Sequence, residues 1–113
     1  MYAAFALVGK TVLVAGATVA PSGVQVPGTN GAWAQQFRVH NAGLVTAYVA
    51  VGSTAALAAS NAVIPTGSGA NSKDSWPVPA GAIEVLSAAA DAYWSAITAS
   101  STASIFVTPG RGL

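Results

Sequence analysis

Asp74, Glu84, Asp91 and His40 are the only carboxylate and imidazole side chains in the sequence, so any acid–base chemistry must be built from them. A glycoside hydrolase needs two carboxylates flanking one bond. No two of these three acids are spaced to meet on a single element. His40 could serve one of the many serines as a general base in a triad. However, Gly-x-Ser-x-Gly, the Walker loop and Gly-x-Gly-x-x-Gly are all missing. Without cysteine there is neither a thiolate ligand nor a disulfide. One histidine and three scattered acids are too few for a transition-metal site. The expectation is a protein that is not an enzyme and uses no metal or cofactor.

Composition points instead to association. Of 113 residues 53% are hydrophobic, yet only 6% are charged, against roughly a quarter in an ordinary soluble domain. A folded monomer of this mass exposes about 5,600 Å². Four basic and three acidic side chains, at about 120 Å² each, would cover only about a sixth of that surface. The rest must be Ala, Ser, Thr, Gly and Val, a surface poorly protected against self-association and partner binding. Lys10, Arg38, Lys73 and Arg111 are dispersed, with no basic patch to neutralise several phosphates. Direct nucleic-acid binding is not expected. The apolar stretch from Tyr2 to Gly9 lacks a basic flank and is interrupted by Lys10. It reads neither as a signal peptide nor as a membrane span, and the mature chain is expected to begin near Met1.

The elements that must position these residues are short. Turn chemistry recurs about every ten residues: Pro21-Ser22-Gly23, Pro27 to Gly31, Asn41-Ala42-Gly43, Gly52-Ser53, Pro65 to Ser72, Pro79-Ala80-Gly81 and Pro109-Gly110. Between these marks lie runs of Val, Ile, Thr and aromatics that read as strands. Trp33 to Asn41 alternates clearly, with Trp33, Gln35, Phe37 and Val39 on one face and Gln36, Arg38 and His40 on the other. The Asn41-Ala42-Gly43 turn predicts that this strand folds back as a hairpin onto Val45–Gly52, with Phe37, Val39, Val49 and Val51 in the core. Further strands are expected over 11–14, 23–26, 75–78, 82–87, 93–98 and 104–108. Alanine-rich 53–61 and 87–94 suit one or two helical turns, and 66–73 reads as a surface loop. The result is one domain, residues 1–113, with an all-β, antiparallel architecture of seven or eight strands.

In a core of Ala and Val, Trp33 and Trp94 are needed to fill volume. Trp76, between Lys73-Asp74 and Pro77, is the better interface anchor. Arg38 and His40, on the polar face of their strand, are further interface candidates. Pro109-Gly110 is expected to stop the last strand, leaving the Arg111 guanidinium and the apolar Leu113 to dock against a neighbouring chain.

The blocks Val24-Gln25-Val26-Pro27, Gln36 to Gly43, Val78 to Leu86 and the ending Val107 to Leu113 resemble small virion proteins of tailed bacteriophages. These are Ala-, Val- and Gly-rich head and tail components with few charges. The resemblance implies a jelly-roll β-sandwich acting as a capsid cement or decoration protein in the virion, assembled in the host cytoplasm. Its implied partners are the major capsid protein and copies of itself, as a dimer or trimer. The alternative is a tail, neck or fibre component with a host-surface or carbohydrate-binding role, of which a carbohydrate-binding module on a tail would require exposed coplanar aromatics. The resemblance supplies no catalytic or contact residues.

Overall fold

The computed structural model describes residues 5–28, 36–65 and 75–111. Their elements are β1 (Ala6–Leu7), β2 (Val12–Gly16), β3 (Val24–Gln25), β4 (Gln36–Asn41), β5 (Ala47–Gly52), α1 (Ala55–Asn61), β6 (Trp76–Val78), β7 (Ile83–Ser87), β8 (Tyr93–Thr98) and β9 (Ala103–Arg111). Two antiparallel sheets face each other. In the first, β9 pairs with β4 on one side and with β1 and β2 on the other, and β7 completes the far edge of β4. The order of the second is β3-β8-β5-β6. With β1 and β2 taken as one interrupted strand, four strands stand in each sheet. Apart from β5 to β6, successive strands alternate between the sheets. This is the jelly-roll arrangement, and the expected all-β sandwich is present.

The core between the sheets follows the period-two alternation. Phe37 and Val39 of β4, Ile105 and Val107 of β9, and Val14 of β2 point inward from the first sheet. From the second come Ala47 and Val49 of β5, Val78 of β6, and Trp94 and Ala96 of β8. The Trp94 ring fills the space left by so many small side chains, lying 5.0 Å from Phe37 at 56° and 6.0 Å from Trp76 at 88°. Full burial of each large apolar side chain contributes about 1.5–3 kcal/mol. Of the four expected core residues, Phe37, Val39 and Val49 are fully buried, and Val51 packs at the margin.

The expected hairpin does not form. β4 belongs to the first sheet and β5 to the second, so residues 42–46 make an arch across the sandwich. The turn chemistry was real, but Asn41 uses it differently. Its side chain is fully buried, with Oδ1 accepting from Gly43 N at 2.9 Å while Nδ2 donates to Val45 O at 2.9 Å and to Val78 O at 2.8 Å. These bonds direct the chain towards the other sheet. A Cβ on Gly43 would come within 2.9 Å of Ala103, so only glycine lets the arch lie this close to β9.

Two further expectations are corrected. Residues 87–94 form no helix; Ser87 ends β7, Ala90-Asp91 turn, and Tyr93 begins β8 in the other sheet. Nor do Pro109 and Gly110 stop the last strand, because β9 continues to Arg111. Leu7 pairs with Gly110 and Val12 with Val107, so the four residues 8–11 stand opposite only Thr108 and Pro109. The Pro109 carbonyl accepts from Val8 N at 3.1 Å, which places the side of proline that lacks an N–H against this bulge, where no ladder bond is lost. A Cβ on Gly9 would meet the Pro109 ring at 2.7 Å, and the bulge therefore needs glycine there.

The alanine-rich 53–61 segment does form a helix. Thr54 caps α1, its Oγ1 accepting from Leu57 N at 3.1 Å. Asn61 Nδ2 donates to Val51 O at 3.0 Å and ties the helix to β5.

Replacing Asn41 with alanine leaves the Val45 and Val78 carbonyls and the Gly43 N–H without their partner. The expected loss is about 2–4 kcal/mol, read as a lower urea midpoint. An unchanged midpoint would show that the arch does not depend on this side chain.

Candidate interaction surfaces

Two surfaces are distinguished by what they lack. The first is one end of the sandwich. Gly16 pairs with Ala103, Asn41 with Ile105, and Ala47 with both Thr98 and Val78, which gathers the strand ends of both sheets together. The connections that begin or end here are 17–23, 42–46, 79–82 and 99–102, and none contains a charged residue or histidine. They do carry large apolar side chains in water: Leu44 is 95% exposed and Val19 79%.

This end is tied down at every connection. Thr98 N donates to Ala17 O at 2.9 Å, and the buried Ser95 Oγ donates to Pro21 O at 2.7 Å. Thr98 Oγ1 donates to Ser101 O at 2.8 Å, holding the 99–102 turn, in which Ser101 adopts φ 61°. Gly81 N donates to Asn41 O at 2.8 Å and Ala82 N to Pro79 O at 3.0 Å. The Asn41 amide holds the arch that presents Leu44. Residues positioned this way lose little further entropy on docking.

The second surface is the outer face of the first sheet. The pairings Leu13 with Phe106, Phe106 with His40, and His40 with Ile83 make one continuous row across β2, β9, β4 and β7. Leu13 is 51% exposed, Ile83 49% and Phe106 37%. The His40 ring lies 6.4 Å from Phe106. The adjoining row runs Thr11, Thr108, Arg38 and Val85, with the two threonine hydroxyls 2.7 Å apart. Of these two rows, Arg38 is the only permanently charged member.

The structure thus brings Arg38 and His40 together on one face. Arg111 is exposed at the end of β9, opposite Ala6; Leu113 and Trp33 lie outside the described residues. Trp76 stands at the margin of the core, edge-on to Trp94, and the indole N–H groups of both are buried without a hydrogen-bond partner. Each such group costs about 1–3 kcal/mol. These two rings face inward and make no sugar-stacking platform. Among the described residues no three of His, Cys, Asp and Glu come together as metal ligands would. No helix there is long and apolar enough to cross a membrane.

Sequence reasoning missed Val19 and Leu44, although both stand beside turn residues, where a large apolar side chain has no core to enter. It also missed Leu13, Ile83 and Phe106. Phe106 lies in a strand where Ile105 and Val107 already supply the inward face, so its outward position followed from alternation. Comparison with protein-family models, with characterised proteins and with solved structures gave no match to the chain.

Because Val19 and Leu44 contact so little of the fold, Val19→Ser and Leu44→Ser should each change stability by less than about 0.5 kcal/mol. A urea titration checks this, and a larger loss would mean that these side chains pack within the molecule.

Proposed function

We propose that this chain is a virion structural protein of a tailed bacteriophage, a capsid cement or decoration protein that seats its uncharged loop end in a seam between major capsid protein subunits. The observation that carries this reading is that loop end: four hydrogen-bonded connections without a charge, from which Val19 and Leu44 project into water. Such a tip can enter an apolar crevice without desolvating an ion. The jelly-roll topology recurs in viral capsid domains as well as lectins, so the fold accommodates the reading and does not choose it. The resemblance of the sequence blocks to small phage virion proteins points the same way.

The energetics favour a lattice partner. A shallow tip offers a modest contact, but repetition over a symmetric shell turns many weak contacts into durable occupancy. A protein that binds the assembled lattice and not its free subunits stabilises that lattice by linkage. The role involves no reaction, only coverage and self-assembly.

Particles lacking the protein should assemble but release DNA at lower temperature than complete particles, and adding back the wild-type chain should restore them. Copies per particle should number on the order of hundreds, as a repeated lattice site requires. The double variant Val19→Ser, Leu44→Ser should bind such particles at least about tenfold more weakly, since two apolar contacts are removed. Equal thermal release with impaired adsorption to host cells would overturn the cement reading in favour of a tail, neck or fibre component.

A further inference from the structure

We infer that the outer face of the first sheet is a self-complementary surface that pairs two copies of this chain face to face. The inference specifies the self-assembly part of the reading above and rests on it only there, because the isolated chain is enough to test it. The apolar row Leu13, Phe106, His40, Ile83 is aliphatic at both ends and carries rings in the middle. A two-fold axis lying in the interface, parallel to the strands and between β4 and β9, returns this row onto itself in reverse order. Leu13 then meets Ile83 of the second copy, and Phe106 meets His40. In the adjoining row Arg38 meets Thr108 and Thr11 meets Val85, so no arginine opposes its symmetry mate. An isologous contact must satisfy each residue in this reciprocal way.

Area and charge both suit this occupant. The strand residues of this sheet, at about 3.4 Å along each strand and about 4.8 Å between strands, give a footprint of about 440 Å² per copy. Two copies would bury about 900 Å², the size of a weak, reversible contact. The two rows contain no carboxylate, so a strongly basic partner finds no counter-charge there, and the single Arg38 offers an acidic partner only one. A surface like itself leaves no apolar row uncovered and sets the Arg38 guanidinium against Thr108, whose hydroxyl can accept a hydrogen bond from it. Aligned sheet packing of this kind interdigitates the side chains of the two apposed faces.

Sedimentation velocity on the purified chain, from micromolar to sub-millimolar loading, should show a reversible monomer–dimer equilibrium. Leu13→Glu and Ile83→Lys each place a charge against an apolar side chain of the other copy and should weaken the dimer at least about tenfold. Both positions are exposed, and a circular-dichroism spectrum and urea midpoint like those of wild type would show that the variants fold. Mixing the two variants should restore a dimer, because the carboxylate introduced in one chain then faces the ammonium introduced in the other, while the second Leu13–Ile83 contact survives. Leu57→Glu, on exposed α1 against the second sheet, should leave the dimer unchanged. A wild-type chain that stays monomeric throughout overturns the inference, as does a dimer that survives both charged variants. If the chain is monomeric and Leu13→Glu instead loses binding to particles, the face belongs to the capsid partner and the self-pairing is wrong, although the virion reading stands.

Discussion

Five hydrogen bonds converge on the buried Asn41. Its backbone N–H donates to Ala82 O and its carbonyl accepts from Gly81 N, while its side chain serves Gly43, Val45 and Val78. Every polar group of the residue is used, which is the condition for burying an amide without a net penalty. Through it β4 of one sheet, the arch to β5, the end of β6 in the other sheet and the approach to β7 are fixed relative to one another. The spacing of the sheets at this end, and hence the depth of the core beneath it, follows from this residue. So does the orientation of the two connections, 42–46 and 79–82, that form half of the uncharged end.

Away from Asn41 the sandwich is held by packing among small side chains, and Trp94 is what makes that packing possible. A core of alanine and valine cannot fill the gap between two sheets about 10 Å apart. Trp94 does so, with Phe37 and Trp76 around it. Both indole N–H groups are left without partners, so volume is gained here at some cost in hydrogen bonding. The same economy of side chains acts on the outside. With so few charges to distribute, both the uncharged end and the outer sheet face are consequences of the composition that builds the core.

Strand positions could be read from the sequence because alternation and turn residues are local signals. The expected strands at 23–26, 75–78, 82–87 and 93–98 each hold a strand of the structure, and the alanines of 53–61 made α1 readable as well. Partner choice was not readable. An Asn-x-Gly sequence bends the chain sharply whether the next strand returns beside the first or crosses to the opposite sheet, and what decides is the distant Val78 carbonyl that Asn41 reaches. Pro109 failed for a related reason. Proline ends a strand only where its missing N–H would break a ladder bond, and residues 8–11 bulge away at that point. The apolar row was hidden because it assembles from four strands widely separated in the chain. Arg38 and His40 were found on the polar face by period alone, but the row's Leu13, Ile83 and Phe106 come from strands that could not be ordered beforehand.

The edges show what kind of association this surface permits. An exposed strand edge invites open-ended pairing, and among the described residues each edge carries an obstacle. The β1–β2 edge is broken by the bulge at 8–11, β3 has two residues, and β6 has three with Pro77 in the middle. β7, like β2, runs five residues without interruption, but Glu84 stands on its inward-facing register, opposite the buried Val39. A strand added in the register that sets Glu84 of one copy beside Glu84 of another would place two carboxylates side by side, which is unfavourable. Growth by edge addition is therefore opposed while apolar contact by face and by loop end is left open. Face-to-face pairing closes after two copies, and docking by the loop end closes when the partner's sites are filled. Under the proposed pairing and docking, a chain with so little charge would associate through contacts that saturate, while the obstacles along its described edges oppose open-ended growth.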